Sequence, residues 1–172
     1  METTSKLIVL RGPSGAGKST VAKLLHARVA NKTALVEQDY YRHVMFNNLH
    51  IDLEAPRYVM FAGIKAALDN GYDVILEGFM GVKKYKPYFD ELLTHHPDNN
   101  YFFYFDVSFE ESLQRHTTRQ KGKELDEARM QELFLKSSPF GYHNETIIDQ
   151  STTAEDSYLL IAGVSLVRLQ QH

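Results

Sequence analysis

The chain has 172 residues, of which 43% are hydrophobic and 24% charged, proportions that are ordinary for a globular domain with its own core. It contains no cysteine, which excludes disulfides, thiolate zinc sites and a cysteine nucleophile. The formal net charge of −3 provides no overall positive field for nucleic acid. We find neither a signal-peptide pattern nor an apolar stretch of membrane-spanning length, so we expect one cytoplasmic domain over residues 1–172 without a membrane partner.

The first strand, predicted at residues 7–10, leads into the segment RGPSGAGKST and then into a helical pattern at residues 18–29. The segment fits the phosphate-binding pattern GxxxxGK[ST], which requires a strand before it and a helix after it. Glycines allow backbone N–H groups to turn towards phosphate oxygens, and the helix N-terminus adds its positive dipole end. The residues predicted to bind the nucleotide are Gly12, Pro13, Ser14, Gly15, Ala16, Gly17, Lys18, Ser19 and Thr20.

Two side chains of this loop carry chemistry. Lys18 is a catalytic candidate because its charge can follow the β- and γ-phosphates during transfer. The Ser19 hydroxyl can ligate Mg²⁺. The alternative interpretation is a glycine-rich turn with a surface lysine, which would not need the flanking strand and helix.

Apolar runs and helical patterns alternate along the rest of the chain, and this predicts an α/β domain with a parallel sheet wrapped by helices. The further strands are predicted at residues 34–37, 74–77, 101–107 and 146–148. The further helices are predicted at residues 56–69, 85–95, 109–118, 126–136 and 154–170. Capping boxes support two helix starts, at Ser108 with Glu111 and at Thr152 with Glu155. The apolar residues expected to face the sheet from the last helix are Leu160, Val164 and Val167.

Acidic residues follow the strands at the edge of the sheet where ligands bind in parallel folds. Asp39, after the second strand, is the candidate general base for a hydroxyl acceptor, and capping of a helix that starts at Tyr40 is the alternative. Glu77, which ends the third strand, is the candidate for holding Mg²⁺ through water, and a structural ion pair is the alternative. Asp106 and Asp149 fit caps or loop anchors better than catalysis.

A polar segment with two arginines follows the fourth strand. Arg115 falls within a predicted helix, and Arg119 falls where that helix gives way to a glycine-containing stretch. Such a segment between two helices is typical of a closing lid, here approximately residues 115–137, whose positive charge would cover the migrating phosphoryl group. A solvated helical turn is the alternative for both arginines. We interpret the KKYK cluster at residues 83–86 as a solvated loop, and the eight histidines show no ligand-like spacing.

Over nearly its whole length the sequence resembles the small P-loop kinases of the nucleoside and nucleotide kinase superfamily. The stretch LIVLRGPSGAGKST matches their nucleotide loop. EQDYYRHVM is similar to segments of uridine kinases and of zeta-toxin-like and polynucleotide 5′-kinases, and DVILEGF resembles a strand of the uridine kinases. FDVSFEESLQRHTTR resembles the helix and lid entry of a group of bacterial kinases.

This resemblance implies a three-layer P-loop NTPase fold with the strand order 2-3-1-4-5, and ATP with Mg²⁺ as cofactors. It implies that Asp39 is the base, that Arg42 contacts the substrate, and that Arg119 is the lid arginine, with Arg115 a weaker match. We count Glu77 with Asp39 and Arg42 among the substrate-binding candidates. The residues that it brings near the adenine are Gln150 and Ser151.

We therefore expect a kinase that moves the γ-phosphate of ATP to a hydroxyl of a small molecule such as a nucleoside, sugar or antibiotic. Two alternatives stay open. A 5′-hydroxyl polynucleotide kinase is favoured by Asp39 with Arg42 but opposed by the acidic balance of the chain. An ATP-dependent switch or regulatory ATPase would need neither Asp39 nor a lid. The sequence leaves the acceptor and the oligomeric state open.

Overall fold

The computed structural model describes residues 5–47, 54–117 and 127–165 of the chain. Within these residues five parallel strands form one sheet in the order β2-β3-β1-β4-β5. The strands are β1 Leu7–Arg11, β2 Thr33–Glu37, β3 Asp73–Gly78, β4 Asn100–Asp106 and β5 Glu145–Asp149. All five predicted strands and the order 2-3-1-4-5 are confirmed, as is the P-loop type of α/β fold.

The described part of the chain contains six α-helices. They are α1 Lys18–Arg28, α2 Glu54–Asp69, α3 Val82–His95, α4 Phe109–Thr117, α5 Glu127–Phe134 and α6 Ala154–Val164. A π-helix, Tyr40–Met45, follows β2. From the sequence, a helix start at Tyr40 is only the alternative explanation of Asp39. None of the described helices is long and apolar enough to cross a membrane.

The core lies on both faces of the sheet, and β1 serves both. Leu7 and Val9 pack into a cluster under α2 and α3, whereas Ile8 and Leu10 pack into a cluster under α1 and α6. This alternation follows from the two-residue period of a strand. Burial of each such side chain contributes about 1.5–3 kcal/mol, so β1 and the loop that leaves it are held firmly from both sides.

The last helix corrects two expectations. Leu160 and Val164 are exposed, and Val167 lies outside the described residues. The side chains that α6 buries are Ser157, Tyr158, Ile161 and Ala162. The expectation for the inward face of α6 was wrong because this helix carries apolar residues on both its exposed and its buried faces. In addition, its buried face includes a serine. Its cap is Thr153, whose hydroxyl accepts from the Asp156 N–H at 3.1 Å, so the capping pair lies one residue beyond Thr152 and Glu155.

A buried arginine at the end of β1 connects this strand to the segment after β3 and to the start of β5. The Arg11 guanidinium donates to the carbonyl oxygens of Met80, at 2.9 Å, and Ser138, at 3.1 Å, and to the Glu145 carboxylate at 3.1 Å. It also lies 3.2 Å from the Phe140 ring centroid. Burial lowers the pKa of Arg11 to about 10, against the opposing attraction of Glu145, so the side chain stays charged at neutral pH.

Candidate active site

The phosphate loop leaves β1 in a conformation that only glycine permits. Gly12 has φ 145°, and a Cβ there would lie 2.5 Å from the Phe105 carbonyl oxygen. Gly17, with φ 97°, starts α1. Lys18 is buried, and its Nζ donates to the Pro13 carbonyl oxygen at 2.7 Å. The lysine therefore lies folded over its own loop, where it can exchange this carbonyl for phosphate oxygens.

Glu77 lies beside the first turn of α1. It is buried to 5% exposure, and this burial raises the pKa of its carboxyl group. The positive charge of Lys18 and a hydrogen bond with Ser19 act in the opposite direction, while Asp39 and Glu37 raise the pKa further by repulsion. The structure thus brings Lys18, Ser19 and Glu77 together, as the sequence predicted. The buried Glu77 carboxylate therefore has two partners, the hydroxyl of Ser19 and the positive charge of Lys18.

Asp39 lies at the edge between β2 and the π-helix. Its side chain is exposed, and its nearest ionic partner is the Nε2 atom of His43, at 3.8 Å. Asp39 occupies the N-cap position of the π-helix, but its side chain makes no capping hydrogen bond. Capping is therefore not what holds this carboxylate, and its role as a base stays a prediction. π-Helical turns occur frequently at functional sites.

Gln38 is a residue of the site to which the sequence analysis gave no role. It is buried, its Oε1 accepts from the N–H groups of Phe79 at 2.9 Å and Met80 at 3.3 Å, and its Nε2 donates to the Tyr85 hydroxyl at 2.5 Å. These bonds tie the end of β2 to the segment after β3 and to α3. Gln38 thereby positions the backbone of Asp39 and the floor of the cavity next to it.

A cavity of about 230 Å³ lies where β4 and β5 end. Of the predicted nucleotide-binding residues, it is lined by Ala16, Gly17, Thr20, Arg115 and Gln150. Ser151 does not line the cavity, and its N–H bonds to the Asp149 carboxylate at 2.8 Å, which makes Asp149 the loop anchor that we expected.

Arg115 is held in place at this cavity. Its guanidinium bonds to Glu111, at 2.5 Å, and to the Gln150 carbonyl oxygen, at 3.1 Å. The Gln150 side chain in turn accepts from the Ser108 N–H at 2.9 Å. These bonds connect α4 to the loop after β5. Arg119, the other arginine of the predicted lid, lies outside the described residues.

A larger cavity, of about 570 Å³, lies where β2 and β3 end. Arg42, the predicted substrate contact, lines it. The charged side chains of the lining are all basic and belong to Arg42, Arg57, Lys83, Lys84, Arg129 and Lys136. Apart from Arg42, no residue of this set was predicted. The interpretation of KKYK as a loop was wrong, because the cluster lies in the first turns of α3. Lys83 and Lys84 are exposed, as expected, but they also line the cavity.

The residues of the site fit a magnesium ion that is shared with a nucleotide. Mg²⁺ prefers a few protein oxygens together with phosphate oxygens and water. Ser19 and Glu77 offer a hydroxyl and a carboxylate that are hydrogen-bonded to each other. Among residues 5–47, 54–117 and 127–165, no group of three or more His, Asp or Glu side chains could hold a metal alone. This donor set suits Mg²⁺ that arrives with phosphates rather than a site made of protein ligands only.

Comparison with known proteins agrees with this architecture. The AAA domain family matches residues 7–135, which include the phosphate loop, Asp39, Glu77 and Arg115. No curated protein sequence matches the chain significantly.

Solved structures with the same fold cover almost the entire chain. A gluconokinase from Sinorhizobium meliloti 1021 has a TM-score of 0.69 at 17% identity, with 96% of this chain and 94% of that chain covered. A sugar kinase from Janibacter sp. HTCC2649 has a TM-score of 0.72 at 17% identity, with 95% of each chain covered. The Deinococcus radiodurans tunicamycin resistance protein has a TM-score of 0.70 at 15% identity, with coverages of 98% and 99%. The chain belongs to the AAA domain family, and it has the fold of the small P-loop kinases.

Proposed function

We propose that the protein is an ATP- and Mg²⁺-dependent phosphotransferase that moves the γ-phosphate to a hydroxyl of a small molecule. One observation carries the proposal. The phosphate loop leaves β1, the central strand, and has one cavity on the side of β4 and β5 and another on the side of β2 and β3. The two cavities share no lining residue. A loop that holds phosphates between two separate cavities suits a donor on one side and an acceptor on the other.

The residues divide between these tasks. On the donor side, ATP would place its base in the cavity near Arg115 and Gln150, and its phosphates on the loop amides and Lys18. Ser19 and Glu77 would hold Mg²⁺, which neutralises charge on the β- and γ-phosphates when bound. Arg119, which lies outside the described residues, is the proposed source of further positive charge on the transferred group.

On the acceptor side, Asp39 is the proposed base. The acceptor oxygen forms a bond to the γ-phosphorus, the bond from that phosphorus to its bridging oxygen breaks, and ADP leaves. The proton of the acceptor hydroxyl passes to the Asp39 carboxylate. This carboxylate is exposed, and Asp39 directly follows Gln38, a residue that lines the larger cavity. The names of a gluconokinase and a sugar kinase among the structural relatives support a small hydroxyl-bearing acceptor.

The test follows ³²P from γ-labelled ATP in the presence of Mg²⁺ into separate pools of nucleosides, sugars and sugar acids, antibiotics, and 5′-hydroxyl oligonucleotides. We expect label in one small-molecule pool. Asp39→Asn should lower that transfer by about 10²–10⁴-fold while ATP binding persists. Asp69→Asn, an exposed carboxylate at the end of α2 that pairs with Lys65, is the matched control and should transfer normally.

Other results would change the assignment. Transfer by Asp39→Asn at the wild-type rate would remove the base role. Label on the oligonucleotides alone would favour a polynucleotide kinase, which the basic lining of the larger cavity makes the second candidate. Such binding should weaken steeply with salt, because several phosphate contacts would be lost together. Label that appears only as free phosphate in every pool would favour an ATP-dependent switch.

A further inference from the structure

The larger cavity has a charge composition unlike that of the whole chain. The chain carries 22 acidic and 19 basic residues, yet the charged side chains that line this cavity are basic without exception. They come from four elements: the π-helix supplies Arg42, α2 supplies Arg57, α3 supplies Lys83 and Lys84, and α5 with the residues just after it supplies Arg129 and Lys136. Cations from separate parts of the fold therefore converge on one space.

Neighbouring acids neutralise only part of this charge. Arg129 and Lys136 both pair with Glu132, which does not line the cavity. Arg42 and Lys83 have no ion-pair partner among the residues that the structure describes. Positive charge that is gathered in a concave site without matching acids raises the local concentration of anions. The described charged residues that line the cavity are therefore all positive, although the chain as a whole is negative.

The walls between the cations are apolar. Pro56 and Tyr85 are buried beneath the cavity, and Phe79, Val82 and Leu133 are half-buried at its sides. Its volume of about 570 Å³ lies within the range of roughly 300–1,000 Å³ that is usual for small-molecule sites. A space of this size with apolar walls and a basic lining fits a small molecule that has both an apolar face and an anionic group.

We propose that the phosphoryl acceptor is a small organic anion, one whose phosphate or carboxylate group is bound by Arg42 and Lys83 while its hydroxyl reaches Asp39. This inference rests on the proposed function, because it names the acceptor class of that reaction. It predicts that neutral sugars, nucleosides and uncharged antibiotics are poor acceptors compared with their anionic counterparts.

The first test compares matched acceptors that differ in charge: a sugar, its sugar acid and its sugar phosphate, and a nucleoside with its 3′-monophosphate. The anionic member of a set should have a kcat/KM at least about tenfold above the neutral one, the effect expected of one or two charge-assisted hydrogen bonds. Arg42→Gln and Lys83→Gln should each raise KM for the anionic acceptor about tenfold and leave KM for ATP unchanged. Lys65→Gln, on the exposed face of α2 and paired with Asp69, is the control.

A neutral acceptor that reacts as well as its anionic partner would overturn the inference. A KM for the anionic acceptor that is unaffected in both Arg42→Gln and Lys83→Gln would do the same. The unliganded variants should melt at the wild-type temperature, since both side chains lie at the surface of the cavity and make no ion pair with the described residues.

A binding experiment keeps the inference separate from the kinase reaction. With ADP and Mg²⁺ in excess to occupy the phosphate loop, the same matched compounds are compared by the melting temperature that each produces. The anionic members should raise it, and Arg42→Gln or Lys83→Gln should abolish the increase. If no compound accepts label but the anions still raise the melting temperature, the proposed reaction fails and anion binding stands. If no anion raises it above its neutral partner, anion binding at this cavity is contradicted.

Discussion

The two cavities beside the phosphate loop are built by different means. The proposed donor side combines consecutive residues of the phosphate loop, which is closed against β4, with residues of the loop after β5. Hydrogen bonds between α4 and the loop after β5 fix this arrangement. The acceptor side is assembled from single side chains on the π-helix, α2, α3 and α5. The donor side depends on backbone conformation, which requires particular residues at fixed spacing, whereas the acceptor side depends on where the tertiary fold places scattered cations.

The largest effect that we expect comes from the donor side. Lys18→Met removes the charge that follows the phosphates and should lower transfer by roughly 10³-fold, a loss of about 4 kcal/mol in transition-state stabilisation. Single-turnover transfer from labelled ATP measures it. Lys65→Met, on the exposed face of α2, should transfer as wild type. A Lys18→Met protein with a near-normal rate would move the phosphate site away from this loop.

The backbone of the donor side can be tested without any substrate. Gly12→Ala places a Cβ 2.5 Å from the Phe105 carbonyl oxygen at φ 145°, so it should lower the free energy of unfolding by about 3 kcal/mol. Gly163→Ala in α6, where a Cβ meets nothing within 4 Å, should instead raise it by about 0.5–1 kcal/mol. Urea denaturation measures both variants. Equal stabilities would show that the loop relaxes around the added methyl group.

The same contrast explains what the sequence could predict. The motif, the strands and the acids at their ends follow from local patterns, so Lys18, Ser19 and Glu77 were found and lie together. The basic lining escaped because its members are far apart in the sequence and each is an unremarkable surface residue alone. Arg42 was predicted through the family resemblance. The residues that follow the ends of parallel strands lie at one edge of the sheet, and this principle, which located Asp39 and Glu77, could also have found Lys83, which follows the end of β3.

Other misses have local causes. The inward face of α6 could not be predicted because apolar residues lie on both faces: Leu159 and Leu160 are exposed, whereas Ile161 is buried. Ser165, just past the end of α6, is fully buried, and its hydroxyl donates to the Ile161 carbonyl oxygen at 2.6 Å. The π-helix has no residue signature that separates it from an α-helical turn. The role of Gln38 could not be predicted because its hydrogen-bond partners, the N–H groups of Phe79 and Met80, come near it only through the parallel pairing of β2 with β3.

A smaller effect is expected where the acceptor side depends on Gln38. Gln38→Leu leaves the N–H groups of Phe79 and Met80 without their acceptor and should cost about 2 kcal/mol of stability. Because Gln38 and Phe79 line the larger cavity, KM for the acceptor should rise about tenfold while KM for ATP stays within about twofold. Gln131→Leu on the exposed face of α5 is the control. Equal changes in both KM values would contradict the separation of the two sides.

The smallest effect concerns Glu77, which lies between the two sides. Burial raises its pKa, so the folded chain holds a proton to higher pH than the unfolded chain does. Stability from this group is therefore present below the ordinary glutamate pKa and is lost as pH rises through the raised value. Glu77→Gln cannot lose a proton there, so its free energy of unfolding should match that of wild type at low pH and exceed it above this window. Urea denaturation across pH measures the difference.

The hydrogen bond from Ser19 and the charge of Lys18 reduce the free-energy cost of ionising the buried Glu77, but they do not reverse the direction of its pKa shift. If the Glu77→Gln protein gains stability and loses Mg²⁺-dependent transfer, the Glu77 carboxylate serves catalysis and lowers the stability of the fold. Such an exchange of stability for activity is common in active sites. A variant whose stability falls with pH in parallel with wild type would assign the loss to other carboxylates. Asp39 and Glu37, which repel Glu77, would then be the next to test.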